Sequence, residues 1–205
     1  MALITKDLLA KYKDRRLAQD NHRYDSASIL FHDIARGKAE FAKGRKRDYD
    51  IFLCHSWLDT DTILGLREYF SSFNLTTYID WYDDPQLNRS QVNRETADVL
   101  RERMMSSDCL LYASSENSPS SKWMPWECGY FDGIKSKVAI CPISESAAQS
   151  LTNKYHGVEY LDLYPYLAIK GLLSEALYIH ESPNKYVAFP EWLKGQKPKP
   201  RLTKI

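Results

Sequence analysis

The fold of this chain is decided by the stretch Tyr49-Asp50-Ile51-Phe52-Leu53-Cys54-His55. This stretch is short and almost continuously apolar, which is typical of a β-strand that is covered on both faces. Strands of that kind occur in parallel sheets, where the connecting helices lie over both faces of the sheet. The stretch therefore predicts the first strand of an α/β domain, and the sequence after it should alternate between helices and strands.

The sequence after residue 55 alternates in this way. Further strands are predicted at 76–80, 109–114, 137–143 and 158–163. Helices are predicted at 60–73, 95–107, 125–133 and 167–179, and a loop rich in Asp and Asn at 81–90. Because strand–helix–strand units cross over right-handedly, this alternation requires a mostly parallel sheet. The predicted fold class is α/β, with a doubly wound, mostly parallel, five-stranded sheet.

Charge and periodicity divide the chain into three predicted parts. Residues 1–47 are predicted to form a helical extension that is helical over 3–41 and ends in a basic linker. Residues 48–192 are predicted to form the main domain, and residues 193–205 a basic tail. The net charge of the whole chain is +1, but the charge is unevenly distributed. Residues 1–47 hold 12 basic and 6 acidic side chains, residues 48–192 hold 11 basic and 21 acidic ones, and residues 193–205 hold 5 basic and no acidic ones.

This distribution disfavours several classes of partner. An acidic central domain is a poor surface for a phosphate backbone, so nucleic-acid binding is not expected, and the basic ends are expected to be solvated. No stretch approaches the roughly 18 apolar residues of a membrane helix. The N-terminus is charged at Lys6 and Asp7 and lacks the apolar core of a secretory signal. We expect a soluble, cytoplasmic protein with no membrane partner.

The four cysteines are expected to be structural. They show no C-x-x-C spacing, and no histidine lies at zinc-finger distance from them. Cys54, Cys109 and Cys141 lie within apolar runs, where a free cysteine behaves as a small hydrophobic residue. Reduced thiols and no metal site are therefore predicted.

Aromatic residues follow the predicted strands, at the edge of the sheet where α/β proteins bind ligands. The glycine-rich signatures of dinucleotide cradles and P-loops are absent from the sequence, as is the G-x-S-x-G turn of α/β-hydrolases. Four of the five tryptophans lie at this edge, namely Trp57, Trp81, Trp123 and Trp126. Their rings could stack on a base or a nicotinamide ring, or simply pack the next helix onto the sheet.

Glu127 is the candidate for chemistry at this edge. Pro125 favours a helix that begins there, which puts Glu127 in the first helical turn. The positive end of the helix dipole stabilises an ionised carboxylate at that position. A fixed negative charge beside aromatic rings would stabilise the oxocarbenium character that develops when the bond between nicotinamide and ribose breaks. The alternative is that Glu127 only caps the helix.

Two of these segments resemble motifs of a known family. Residues 49–56 resemble the first box of Toll/interleukin-1 receptor (TIR) domains. The segment 115–127, in which Trp123 is followed four residues later by Glu127, resembles the S-x-W-x-x-x-E element of enzymatic TIR domains. The loop at 81–90 lies where that family has its BB loop. The resemblance covers residues 48–180 and is strongest to stand-alone bacterial TIR-like proteins. It implies a flavodoxin-like TIR fold.

The resemblance implies an enzyme of antiphage defence that cleaves NAD+ to nicotinamide and to ADP-ribose or a cyclic isomer. NAD+ would be the substrate, with no further cofactor. Glu127 would be the catalytic carboxylate near the ribose hydroxyls, and Trp123 would help to wall the pocket. The other substrate-binding residues that the family implies are His55, Ser56 and Trp57 after the first strand and Asp80, Trp81 and Tyr82 after the second.

The chain departs from the family pattern in two places. Cys54 stands where the first box usually has serine, and the loop at 81–90 is long and acidic. The family also implies a homo-oligomer formed through contacts between TIR domains, with this loop as an exposed contact, and a downstream effector that reads the product. Two other functions stay open: a TIR interaction module without catalysis, and an enzyme that resembles nucleoside deoxyribosyltransferases.

Overall fold

The computed structural model describes residues 1–19, 48–87, 92–146, 150, 159–170 and 176–200. Strands in these ranges are β1 (Ile4–Thr5), β2 (Tyr49–Cys54), β3 (Thr77–Tyr78), β4 (Ser107–Ser114), β5 (Val138–Ser144), β6 (Tyr166–Lys170), β7 (Ala176–Ser182), β8 (Lys185–Ala188) and β9 (Lys199–Pro200). The helices whose bounds are described are α1 (Lys6–Gln19), α2 (Thr60–Ser71), α3 (Asp80–Asp83), α4 (Arg94–Met105), α5 (Met124–Lys135) and α6 (Phe189–Leu193).

The strands form one sheet whose central part is parallel. The order across the sheet is β3-β2-β4-β5-β6-β7-β8-β9, and β1 pairs with β5. The neighbours from β3 to β6 run parallel, whereas β7, β8 and β9 are antiparallel additions. The predicted α/β class with a mostly parallel sheet is confirmed, whereas the predicted number of five strands is wrong: the sheet has nine strands in the described residues, because short and antiparallel strands extend it. Because the strand order reverses between β2 and β4, a ligand is expected at the carboxyl ends of these two strands.

Strand β2 contributes to both hydrophobic cores of the domain. Ile51 and Leu53 pack on the side that carries α1 and α2. Phe52 and Cys54 pack on the side that carries α4 and α5. None of these four side chains is more than 2% exposed. Successive side chains of a strand point to opposite faces, so burial on both faces requires the continuous apolar run that the sequence shows.

The predicted helices around the parallel strands are confirmed with small shifts at their ends. The helices predicted at 60–73, 95–107 and 125–133 are α2, α4 and α5. The Asn93 side chain caps α4 by accepting a hydrogen bond from the Thr96 amide at 2.8 Å. Pro125 lies in the first turn of α5, as expected from its fixed φ. Within the described ranges, no helix has the length and apolarity needed to cross a membrane.

Two predictions for the C-terminal third are wrong. Part of the predicted strand 158–163 forms a 3-10 turn, Glu159–Leu163, and the predicted helix at 167–179 is replaced by β6 and β7. Four of the five residues of β6 are buried. A short apolar run that is buried all round has the same periodicity in a strand as in a helix, so the pattern did not distinguish them. Strand β9 lies within the predicted basic tail and pairs with β8.

The N-terminal residues differ partly from the prediction of a helix over 3–41. Helix α1 confirms the prediction for Lys6–Gln19, whereas Ile4–Thr5 forms a strand parallel to β5. Leu3, Ile4 and Leu9 are buried in the cores of the domain. The rest of this predicted helix and the basic linker lie outside the described residues. The division of the chain at residues 47 and 192 stays a prediction, but residues 1–19 pack with the domain.

The cysteines are buried, as predicted for structural thiols. All four lie in described parts of the chain, and none is in a disulfide. Burial raises the pKa of Cys128 to about 11 and that of Cys141 to about 12. The thiolate is the reactive form of cysteine, so these two side chains are unreactive at neutral pH.

Helix α1 lies against α2 at Gly65. A Cβ atom at this position would be 2.3 Å from the carbonyl oxygen of Leu9, which is closer than atoms of folded proteins approach. Two ion pairs flank the contact, from Lys13 to Asp61 at 3.0 Å and from Arg16 to Glu68 at 3.9 Å. Partly exposed pairs contribute little to stability. The close backbone approach, which requires glycine, is therefore the main determinant of how α1 docks.

We expect Gly65→Ala to lower the free energy of unfolding by about 1–3 kcal/mol, because the added methyl group forces α1 away from α2. Gly133→Ala is the matched control, since nothing lies within 4 Å of a Cβ there. Alanine in a helix is favoured over glycine by about 1 kcal/mol, so the control should be slightly stabilised. Urea unfolding followed by circular dichroism measures both changes. A Gly65→Ala protein as stable as the parent would contradict the close contact.

Candidate active site

A cavity of about 280 Å³ opens at the carboxyl ends of β2 and β3. It is lined by His55, Ser56, Trp57, Leu58, Asp80, Trp81, Ser120, Ser121, Lys122 and Trp123. The lining includes every predicted site residue except Tyr82 and Glu127. The structure therefore brings the residues that follow two neighbouring strands together with the residue that precedes α5. Their roles in substrate binding stay a prediction.

Hydrogen bonds fix His55 and Trp81 at the floor of this cavity. The indole Nε1–H of Trp81 donates to His55 Nε2 at 2.7 Å. Because an indole nitrogen can only donate, Nε2 accepts, and the imidazole proton is on Nδ1, which lies 2.8 Å from the carbonyl oxygen of Leu53. Oδ1 of Asp80 lies 3.2 Å from the same Nε2 atom. The two hydrogen bonds hold both rings in one orientation.

Trp57 supplies an exposed aromatic surface at the mouth of the cavity. Its side chain is 63% exposed, although tryptophan is usually buried. The ring meets that of Trp81 edge to face, with centroids 6.2 Å apart. Ser56 starts the 3-10 turn Trp57–Asp59 and accepts a hydrogen bond from the Leu58 amide at 3.4 Å. A short capped turn thus presents the indole to any planar ring that enters the cavity.

Asp59 joins the loop after β2 to the loop after β4. Its Oδ2 accepts from the Ser115 hydroxyl at 2.5 Å, and its Oδ1 accepts from the Asn117 side-chain amide at 2.7 Å. Ser118 closes the second loop, since its hydroxyl donates to the Ser115 carbonyl at 2.6 Å. The second loop leads to the serines and Lys122 that line the cavity. Asp59 is 6% exposed, and its two bonds position this wall.

The loop at 81–90, which follows β3, was predicted to be an exposed acidic contact, and this is wrong for the residues that are described. It begins with the helical turn α3, and Trp81 and Tyr82 are 6% and 7% exposed. Tyr82 lies outside the cavity, with the guanidinium of Arg67 4.1 Å from its ring centroid. Asp84 is 1% exposed and Asp83 is half-buried. Residues 88–91 lie outside the described residues.

These acidic side chains are structural. Arg103 of α4 binds Asp84 with two parallel bonds, Nε to Oδ2 at 2.7 Å and Nη2 to Oδ1 at 3.0 Å. The Tyr78 hydroxyl also donates to Asp84, at 3.1 Å. The hydrogen bond to Asp84 raises the pKa of Arg103, which therefore stays charged. Asp83 accepts from the Ile79 amide at 2.8 Å, so the turn is held at both carboxylates.

We expect Arg103→Met to lower the free energy of unfolding by about 3–5 kcal/mol, because it leaves the Asp84 carboxylate buried without its cation. The double variant Arg103→Met/Asp84→Leu removes both charges and should recover a large part of this loss. Urea unfolding of the two single variants and the double variant completes a double-mutant cycle. A loss below about 1 kcal/mol for Arg103→Met would show a weakly coupled surface pair.

Trp123 and Glu127 lie one helical turn apart at the start of α5. The amide of Glu127 donates to the carbonyl of Trp123 at 2.9 Å, and Glu127 is in the first turn, as predicted. Trp123 lines the cavity and is 5% exposed, whereas Glu127 is 0% exposed and does not line it. The carboxylate therefore lies under the surface, next to the tryptophan that forms the wall.

Sequence reasoning missed several residues that the structure places at the cavity. Leu58, Ser120, Ser121 and Lys122 line it, and Asp59 holds its second loop. The signal for Asp59 was the run rich in serine and asparagine at 114–121, because such side chains bind nearby backbone and carboxylate groups in turns. Nothing in the sequence identified which acidic residue these groups would meet.

Known proteins similar to this chain include two from bacteria. A protein of Bacillus cereus (strain MSX-D12) named "Probable 3' cyclic ADP-D-ribose synthase ThsB'" is 52% identical over 153 residues, which cover 73% of this chain and 77% of that protein. A protein of Cytobacillus dafuensis named "Putative cyclic ADP-D-ribose synthase TIR2" is 31% identical over 103 residues, which cover 50% of this chain and 27% of that protein. No protein-family model matches the chain.

Proposed function

The chain belongs to the family of bacterial TIR-domain proteins that includes these relatives, and we propose that it cleaves NAD+ to nicotinamide and a cyclic ADP-ribose. The names of both relatives support this proposal. The observation that carries it is the aromatic cavity at the carboxyl ends of β2 and β3, which ends at the helix turn of Glu127. The loop after β4 also lines this cavity, which therefore borders the point between β2 and β4 where the strand order reverses and where α/β folds bind their ligands.

In the proposed reaction the bond between the ribose C1′ and the nicotinamide nitrogen breaks. Its electron pair leaves with nicotinamide, which becomes neutral, and the positive charge passes to the ribose as an oxocarbenium-like ion. A hydroxyl oxygen of the same molecule then attacks C1′ and loses its proton, which closes the ring. The products are nicotinamide, a cyclic ADP-ribose and one proton. Attack by water instead would give linear ADP-ribose.

The cavity residues suit the nicotinamide half of this substrate. The exposed ring of Trp57 can stack on nicotinamide, and stacking on an aromatic side chain contributes about 1–3 kcal/mol by analogy with nucleic-acid bases. The hydrogen-bonded rings of His55 and Trp81 form a floor that does not need to reorganise when substrate binds. The Asp80 carboxylate favours the positive charge of the nicotinamide ring.

Glu127 is the proposed stabiliser of the oxocarbenium-like ion. Its place in the first turn of α5 favours the ionised carboxylate through the helix dipole. Because Glu127 is 0% exposed and does not line the cavity, the carboxylate would meet the ribose only after a side chain of the cavity wall moves. In this proposal substrate binding displaces that side chain, and burial beforehand keeps water from the charged group.

The biological setting is proposed from the family. The protein would act in the cytoplasm as part of antiphage defence, with the cyclic product as a signal to a downstream effector. A homo-oligomer formed through TIR–TIR contacts would be the active form. Because Asp83 and Asp84 are held inside the domain, such a contact would use other residues than these two carboxylates.

A non-catalytic interaction module is the second candidate, and the complete burial of Glu127 favours it. An enzyme resembling nucleoside deoxyribosyltransferases is the third candidate. Incubating the purified protein with NAD+ and, separately, with deoxynucleosides distinguishes the three. We expect release of nicotinamide and a cyclic product from NAD+, and no exchange of deoxynucleoside bases. If the protein reacts with neither substrate, both in dilute solution where it is monomeric and at high concentration, the result would support the function as an interaction module.

We expect Glu127→Gln to lower the rate of nicotinamide release about 100–1,000-fold, because it removes one well-placed electrostatic stabiliser and keeps the side-chain size. Folding should change little, since a first-turn glutamate contributes about 0.3–1 kcal/mol through the helix dipole. Nicotinamide release and a thermal melt are measured for each variant.

The matched control is Glu116→Gln in the loop that precedes the same helix. Its side chain is 67% exposed and pairs with Lys6 at 3.2 Å, so its removal should leave both rate and melting temperature nearly unchanged. Turnover at the parent rate in Glu127→Gln, or a loss explained by unfolding alone, would identify Glu127 as a helix-capping residue.

A further inference from the structure

A second cavity, of about 400 Å³, lies beside the first, between the start of α4 and the start of α5. Its lining includes Arg94 and Arg101 of α4, Lys122 of the preceding loop, and Trp123 and Trp126 of α5. Lys122 and Trp123 also line the first cavity. The two cavities are therefore neighbours that share one wall.

The second cavity is cationic. Among its lining residues in the described part of the chain, Arg94, Arg101 and Lys122 are basic and none is acidic. The guanidinium of Arg101 also binds Asp98 at 2.7 Å, but both side chains are more than 40% exposed, so solvent screens the pair. Guanidinium groups bind phosphate oxygens with two parallel hydrogen bonds, and Lys122 adds a point charge. This lining suits an anion with several phosphate oxygens.

The same cavity also presents aromatic rings. The indole of Trp126 stacks on Tyr130, with centroids 5.6 Å apart and an interplanar angle of 22°. Trp123 meets Trp126 edge to face at 5.4 Å, and the guanidinium of Arg101 lies 5.5 Å from the Trp126 ring centroid. Rings arranged beside cations match a ligand that has both a flat base and phosphates.

The lining charges and the volumes of the two cavities indicate that a dinucleotide would occupy both of them, with one half in each. The first cavity contains the Asp80 carboxylate and aromatic rings, and it is smaller than the roughly 300 Å³ at which ligand pockets begin. In NAD+ the nicotinamide ring is positive and the diphosphate is negative. The first cavity holds the Asp80 carboxylate and the exposed Trp57 ring besides Lys122, which suits the nicotinamide riboside half, and the cationic second cavity suits the adenosine diphosphate half.

We propose that the second cavity binds the adenosine diphosphate half of the substrate, with Arg94 and Arg101 on the diphosphate and Trp126 beside the adenine. This inference rests on the proposed function. The substrate then spans the wall formed by Lys122 and Trp123, which the two cavities share.

The test is binding of ADP by calorimetry, together with NAD+ turnover, for the parent, Arg94→Gln and the double variant Arg94→Gln/Arg101→Gln. We expect ADP binding about tenfold weaker in the single variant and about 100-fold weaker in the double variant, because each loses a charge-assisted bond to phosphate. For NAD+ we expect KM to rise by similar factors while kcat stays within about twofold. Arg15→Gln is the matched control: Arg15 also lies over an aromatic ring, that of Tyr12, but on α1.

Each outcome decides one hypothesis. Failure of the parent to bind ADP, or equal ADP binding by the parent and the double variant, overturns the assignment of the second cavity even if NAD+ is cleaved. Loss of ADP binding in Arg15→Gln as well would show a nonspecific charge effect and overturn it too. A parent that binds ADP through these arginines but releases no nicotinamide would support the nucleotide site and refute the proposed function. Thermal melts verify that each variant is folded.

Discussion

Strand β2 is apolar along both of its faces, and each face is covered by a different pair of helices. Ile51 and Leu53 are committed to the core under α1 and α2, and Phe52 to the core under α4 and α5. A shift of one residue would exchange the two sets, so the register of β2 is strongly determined. Its end then determines where the cavity begins, because His55 and Ser56 are the next two residues.

Buried carboxylates hold the walls of the cavity in position, whereas the end of β2 positions its floor. Asp59 joins two loops through Ser115 and Asn117, and Asp84 holds the turn after β3 through Arg103. In each case hydrogen bonds within the protein replace those that the carboxylate would make to water. A carboxylate can be buried only under this condition. An acidic central domain therefore does not imply an acidic surface, because some of its carboxylates serve as internal supports.

Prediction from the sequence succeeded where a signal was local. The run 49–55 indicated a doubly covered strand, and Pro125 placed Glu127 in the first turn of α5. It failed where the signal depended on distant partners: the helix predicted at 167–179 is replaced by β6 and β7, because burial on both faces hides the period of a strand. The roles of Asp59 and Asp84 were missed for the same reason, since Asn117 and Arg103 lie far along the chain. The complete burial of Glu127 depends on tertiary packing that no sequence pattern specifies.

The N-terminal strand has a consequence for the order in which the protein is assembled. Ile4 pairs with Ile143, and Ala2 bridges to Ile169, so β1 joins the sheet beside strands that are far along the chain. During translation these partners leave the ribosome long after β1, and contacts of such sequence separation form slowly because the intervening loop must first close. The apolar residues Leu3 and Ile4 therefore stay unburied while most of the domain is synthesised. Chaperones that bind short apolar segments would therefore reach β1 before its partner strands have been synthesised.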